Sequence, residues 1–214
     1  MDKQLLLQFE QQIALKKQSY AAAQRELLTK VLHQKYKSLT VSEKLKSNLN
    51  LLEDSNTYTI TTGHQLCLMT GPLYFIYKIL HVIKLAEELK LAFPEQHFVP
   101  VYWMASEDHD FEEIKSFLLF GQKWNWNSSQ KGAVGQFNTN DLQPLLQALA
   151  EKFQNQPDGE IHRLIEKLKN PNYGIGFFEF VHELFSVYGL VIIDADNTQL
   201  KESAWPIWEK DLYT

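Results

Sequence analysis

The sequence predicts an α/β chain built on an open, mostly parallel sheet with a helical insertion. Three segments carry that reading: YTITT at 58–62, HFVPVYWMA at 97–105 and LVII at 190–193. Each is rich in β-branched or apolar residues, and helical patterns separate one from the next. Each also runs into polar residues: Gly63-His64, then Glu107-Asp108-His109-Asp110, then Asp194 and Asp196. Strands alternating with helices pair in parallel, and open sheets of this kind bind ligands beyond the carboxyl ends of their strands.

Taken in order, residues 2–37 read as one long helix or two joined ones, because Leu6, Phe9, Ile13, Tyr20, Leu27 and Val31 recur at helical spacing. That stripe is longer than a small sheet covers, so exposed apolar area and self-association are expected from it. Residues 42–56 give a short helix and a polar turn, which completes an N-terminal helical region at 1–57. The core then opens with the strand at 58–62. Gly63 reads as its end, with a loop running to Gly71-Pro72. PLYFIYKILHVIKLAEELK reads as a helix with Pro72 at its first position, where the missing N–H costs no helical bond. Leu73, Ile76, Leu80 and Ile83 are the expected buried stripe. The segment at 97–105 is apolar on both sides, which suits a buried parallel strand. Another strand falls around Phe117–Phe120 and closes a first core segment, 58–120. Residues 121–172 turn polar, with two helical patches broken at NQPDG and KNPNYG, and read as an insertion outside the sheet. The α/β rhythm returns over 173–214, with a helix at 176–187, Gly189 at the turn and the strand at 190–193. No second half of a doubly wound sheet is visible after Asp196, so an incomplete core is expected.

Composition narrows the function. A net charge of -5, with Lys+Arg 21 against Asp+Glu 26 and only Arg25 and Arg163 as guanidinium donors, argues against a broad nucleic-acid surface. Cys67 is the single cysteine and cannot form an intrachain disulfide. The opening MDKQLLLQFEQQ breaks its apolar run too early for a signal peptide, and no stretch approaches the length of a membrane helix. A cytoplasmic chain with no membrane contact is the expectation.

Two polar clusters carry candidate chemistry. In the first, Thr62, Gly63, His64 and Gln65 are followed by Thr70, Gly71 and Pro72 at the head of a helix. Glycines admit close backbone approach, threonine hydroxyls donate to anionic oxygens, and free N–H groups at a helix start favour an anion. The pattern is neither a dinucleotide-binding fingerprint nor a P-loop. A glycine-bearing turn with Thr70 as a local cap accounts for the same residues, and Lys78 reads as a solvent-facing lysine. In the second cluster, SEDHD at 106–110 sets three carboxylates and an imidazole directly after a buried strand. These groups repel unless they meet a cation, an amine or a shared proton. His109 between acids suits proton handling near neutral pH. The competing explanation is that Asp108 or Asp110 caps the next helix while the rest faces water. Cys67 reads as a small buried hydrophobe rather than a nucleophile. Trp103 is expected in the sheet core, and Trp124 and Trp126 in the packing of the insertion. His81, His97 and His182 read as packing or surface residues.

Two of these segments, TTGHQLCLMTGPLYFIYKI and VPVYWMASEDHDFEEI, together closely resemble the cysteine-adding enzyme family of bacillithiol biosynthesis in its Bacteroidetes-like form. VHELFSVYGLVIIDADN resembles a later helix–strand element of that family. The resemblance implies a Rossmann-like core interrupted by connecting-peptide insertions, and a C-terminal coiled coil that makes a homodimer in much longer chains. It implies a ligase that joins cysteine to glucosaminyl-malate by an amide bond, with ATP as cosubstrate and no tightly bound cofactor or metal. The family's glycine-rich loop falls on Thr62, Gly63, Gln65, Thr70, Gly71 and Pro72, with His64 at a position that is glutamine in many members. Its acidic motif falls on Glu107, Asp108, His109 and Asp110. On this reading the loop holds an anionic group, Glu107 and Asp108 orient an amine, and His109 manages a proton. The alternatives are a nucleotide- or sugar-binding or assembly module without turnover, and a metal-dependent hydrolase built around His64, Glu107 and His109.

Overall fold

The computed structural model describes residues 3–155 and 159–213. Two helices, α1 (Lys3–Ser19) and α2 (Ala22–Tyr36), replace the single long one that the periodicity allowed, and α3 (Glu43–Leu51) follows. Then come β1 (Thr57–Gln65), α4 (Leu73–Ala92), β2 (His97–Ala105), the one-turn α5 (Phe111–Ile114), and the short strands β3 (Ser116–Leu119) and β4 (Gln122–Asn125). Helices α6 (Gln143–Lys152), α7 (Glu160–Leu168) and α8 (Tyr173–Phe185) lead to β5 (Val191–Asp194) and α9 (Thr198–Tyr213).

The main sheet has the order β1-β2-β5 and both pairings are parallel. This is a Rossmann-like α/β architecture. The central strand, β2, is buried along most of its length, as its two-sided apolar sequence requires. Between α8 and β5 the chain turns at Gly189, whose φ of 78° is open to glycine at little cost. The outer edge of β1 has no strand partner among the described residues. Arg25 reaches it by donating to the Thr57 carbonyl, 2.8 Å away.

One face of the sheet is covered by α4 and α8. Phe75 of α4 packs edge-on against Tyr102 of β2 and also meets Phe177 of α8. On the other face, residues of α1, α2 and α9 approach Thr59, Thr61, Trp103 and Ile193. The N-terminal stripe folds back in part, because Phe9 and Ile13 pack against the cluster of Ala86, Leu89 and Phe98.

Three expectations need correction. Gly63 does not end β1; the strand continues through His64 and Gln65, with Gly63 in register with Trp103. A glycine interrupts a strand only when its backbone leaves the extended region, and Gly63 stays paired. The stripe expected on α4 is rotated: Phe75, Ile79, Val82, Ile83, Ala86 and Leu89 are buried, whereas Leu73 and Leu80 are exposed with Tyr74 and Tyr77. The first two turns of this helix, Leu73–Leu80, are apolar almost all round apart from Lys78, so their periodicity did not select one face. Trp103 is not core; its side chain is 41% exposed.

β3 pairs antiparallel with β4 rather than joining the main sheet, through a turn whose Phe120 and Gly121 both have positive φ. The described residues of 121–172 contribute no strand to the main sheet, yet they share its core through Trp126, Phe137, Leu142, Leu146, Leu149, Ile165 and Leu168. The seam is tight. A Cβ on Gly135 would lie 2.7 Å from Ser106, and one on Gly174 would lie 2.6 Å from the Gly135 carbonyl oxygen. Of the break expected at NQPDG, residues 156–158 lie outside the described residues. Among the described residues no helix is long and apolar enough to cross a membrane.

Candidate functional site

The parallel register brings the carboxyl ends of β1 and β2 together: Gln65 faces Ala105, and Met104 faces Asp194 of β5. The loops that leave these strands are bonded to one another. Gln65 Nε2 donates to Glu113 Oε2 at 2.8 Å, and the Leu68 N–H donates to the Ile114 carbonyl at 3.2 Å. The two polar clusters of the sequence therefore sit side by side.

Within the first cluster, Thr62 and His64 are half-buried on the α4 side of the sheet. The His64 ring packs edge-on against Phe75, and its Nδ1 lies 2.8 Å from the Gln65 carbonyl, which directs it toward packing. The exposed hydroxyls on this strand are those of Thr59 and Thr61 instead. Gly63 is open, and its carbonyl accepts a hydrogen bond from Lys78 Nζ. Lys78 is thus not a free solvent-facing lysine, because it folds back along the loop to the strand. Thr70 does not cap α4; Pro72 occupies that position and no side chain bonds the first turn. Cys67 is buried, its thiol is pushed up by desolvation, and its carbonyl accepts from the Tyr173 hydroxyl at 2.9 Å. A thiol so disfavoured as thiolate is packing, not a nucleophile.

The two glycines of this loop act differently. Gly71 has φ 51°, and a Cβ there would lie 2.7 Å from Cys67 Cβ and 2.9 Å from its Sγ. Gly71→Ala is expected to destabilise the fold by roughly 2–4 kcal/mol, combining left-handed strain with overpacking. At Gly63 a Cβ would meet the Trp103 side chain at 3.7 Å, an ordinary contact. Gly63→Ala is expected to stay within about 0.5 kcal/mol of the parent in urea unfolding while reducing ligand binding at the edge of the sheet. An unstable Gly63→Ala, or a stable one that binds as the parent does, would remove this glycine from the site.

In the second cluster, Asp110 is the helix cap, accepting the Glu113 N–H at 3.4 Å. Asp108 is half-buried and accepts the Asp110 N–H at 2.9 Å, so it shapes its own turn. Glu107 and His109 are exposed, and the His109 side chain makes no hydrogen bond or ion pair among the described residues. Sequence reasoning missed the groups that support this loop. Ser106 is buried and its hydroxyl donates to Asp194 Oδ1, while Lys35 donates to Asp194 Oδ2 at 3.2 Å. Beside them Asp196 accepts from Lys201 at 2.5 Å and from Gln136 at 2.7 Å.

The Lys201 hydrogen bond, helped by Gln136 and opposed by burial, holds the Asp196 carboxyl below the usual carboxylate range. A carboxylate whose pKa is lowered by folding stabilises above its unfolded value of about 4, and that contribution is lost as pH falls toward the folded value. Asp196→Asn should therefore melt below the parent at pH 7, and the gap should narrow as pH falls through about 4 toward the lower folded value. A gap that is constant with pH would mean that the pair contributes nothing through charge.

A cavity of about 410 Å³ opens on the far face of the sheet, lined by Thr59, Thr61, Trp103, Lys16, Arg25 and Ser203 among others. It meets the first cluster at Trp103, whose side chain lies against Gly63. Among the described residues no group of three or more His, Cys, Asp or Glu side chains could hold a metal ion, so His64, Glu107 and His109 do not form such a set.

Comparison with known proteins gives the family. The family described as bacillithiol biosynthesis BshC, N-terminal Rossmann-like domain, matches residues 2–214. A Flavobacterium johnsoniae protein named "Putative cysteine ligase BshC" is 42% identical over 207 residues, covering 95% of this chain and 39% of the relative. Relatives of the same name from Cytophaga hutchinsonii and Chlorobaculum tepidum are 40% and 30% identical, over 94% and 89% of this chain. The chain spans under two fifths of the length of each, 37% and 36% for the last two.

Proposed function

The chain belongs to the BshC family, whose N-terminal Rossmann-like domain it matches, and on that premise we propose that it forms part of a ligase joining cysteine to glucosaminyl-malate by an amide bond. The observation that carries this reading is the joining of the two motif loops at the carboxyl ends of adjacent parallel strands, through Gln65–Glu113 and Leu68–Ile114. In open α/β sheets that edge is where ligands bind.

The division of labour follows from what each loop offers. The first offers the open backbone at Gly63 and an α4 first turn without a side-chain cap, which suit an anionic group. The second offers carboxylates at Glu107 and Asp108, which orient the attacking ammonium. That amine must lose a proton before its lone pair forms the C–N bond to an activated carboxyl carbon, whose leaving group departs with the bonding electrons. The exposed imidazole of His109 takes the proton. ATP supplies the activation, and the cavity beside Trp103 has room for a nucleotide next to Gly63.

Incubating full-length protein with cysteine, glucosaminyl-malate and ATP should give the amide by mass spectrometry, and omission of ATP should prevent it. Absence of product under these conditions would sink the reading. Full-length protein is also expected to be a homodimer, a point that light scattering decides. A second reading is binding without turnover, favoured for this chain by itself because the matched relatives are much longer. Calorimetric binding of nucleotide or amino sugar without product would support it.

A further inference from the structure

We propose that Ser106 is a positioning residue of this site, anchored by Asp194, which aims the Glu107 and Asp108 carboxylates without touching substrate; this rests on the ligase reading above. Ser106 is 2% exposed, although it heads a polar run of five residues. Three chain segments meet on it. Its hydroxyl donates to Asp194 Oδ1 at the end of β5 and accepts the Asp196 N–H at 3.3 Å. Its carbonyl accepts the Gly135 N–H at 2.9 Å, and its own N–H donates to the Met104 carbonyl at 2.8 Å. Two residues on, the Asp108 carbonyl accepts the Val134 N–H at 2.8 Å, so the loop is held at two points by the same short 3-10 turn, Val134–Gln136.

The anchor is itself held. Asp194 Oδ2 accepts from Lys35 of α2, whose ammonium also lies 4.7 Å from the centre of the Phe178 ring. Asp194 thus has both oxygens engaged, and its orientation is fixed from the far side of β5. The glycine at 135 leaves no room for Ser106 to move toward the insertion. Glu107, the next residue, leaves this knot with its side chain exposed, and the knot decides where that carboxylate points. The hydroxyl is a preorganising group, because a site held loosely by even a fraction of an ångström loses affinity and rate.

The test uses the full-length protein, titrated by calorimetry with glucosaminyl-malate and with L-cysteine, and followed by amide hydrogen exchange. Ser106→Ala is expected to keep the fold, to speed exchange of the Gly135 and Asp196 amides, and to weaken binding of glucosaminyl-malate, whose amine attacks, about tenfold. Asp194→Asn, which keeps an oxygen to accept the Ser106 hydroxyl, should fall between the parent and Ser106→Ala. If the parent binds and Ser106→Ala binds equally well, the positioning role is wrong and the ligase reading stands. Equal loss in Ser106→Ala and Asp194→Asn, with exchange raised throughout the molecule, would show general loosening and also overturn it. If the parent binds neither substrate, the ligase reading fails and takes this inference with it.

Discussion

On the proposed ligase reading, replacing both Asp108 and His109 by alanine in the full-length protein should slow amide formation by about 10²–10⁴-fold, the range that a positioned proton acceptor contributes. The His109 side chain is exposed and makes no hydrogen bond or ion pair among the described residues, so its removal should change stability by no more than about 0.5 kcal/mol. Asp108 is different, because its carboxylate accepts the Asp110 N–H and its loss relaxes the loop. Asp108→Asn, which keeps that acceptor but not the charge, separates the two contributions. Product formed at the parental rate by the double variant would remove the acidic motif from the chemistry.

Trp126→Ala should cost about 3–5 kcal/mol, seen as a lower urea midpoint with an unchanged slope. The indole is fully buried, with its centroid 4.7 Å from the Tyr173 ring and 5.0 Å from that of Phe111. Its Nε1 donates to Asp141 at 2.7 Å, and its backbone N–H donates to Lys115 at 2.7 Å. Removing it empties the joint between residues 121–172 and the strands. A loss below about 1 kcal/mol would mean that this region folds and unfolds as a separate module.

What the sequence could show follows the range of the interaction. β2 and β5 were legible because their apolar runs are local and uninterrupted, and a cap at Asp108 or Asp110 was legible because capping acts within a turn, Asp110 being the one that does it. The end of β1 was missed where a glycine, usually a breaker, is kept extended by its neighbour on β2. The buried face of α4 was missed because exposed Leu73, Tyr74, Tyr77 and Leu80 carry the apolar surface of its first turns beyond the buried stripe. The Ser106–Asp194–Lys35 cluster joins residues separated by 88 and 159 positions, and no spacing rule reaches that far. Both candidate loops were visible as composition; which of their residues face the cleft and which serve the turn was not.

The pairing of Val101 with Val191 has a consequence in time rather than in space. The central strand is complete about 90 residues before the strand that covers its second edge has been made. At a synthesis rate of roughly 5–20 residues per second, that interval lasts on the order of 5–20 s. During it, one side of β2 can pair only with something else. The polar stretch that follows β4 delays the next strongly apolar segments, and so lowers the chance of a wrong partner from the same nascent chain. Chaperone demand on the ribosome should therefore peak while residues 105–190 emerge, and should end when β5 closes the sheet.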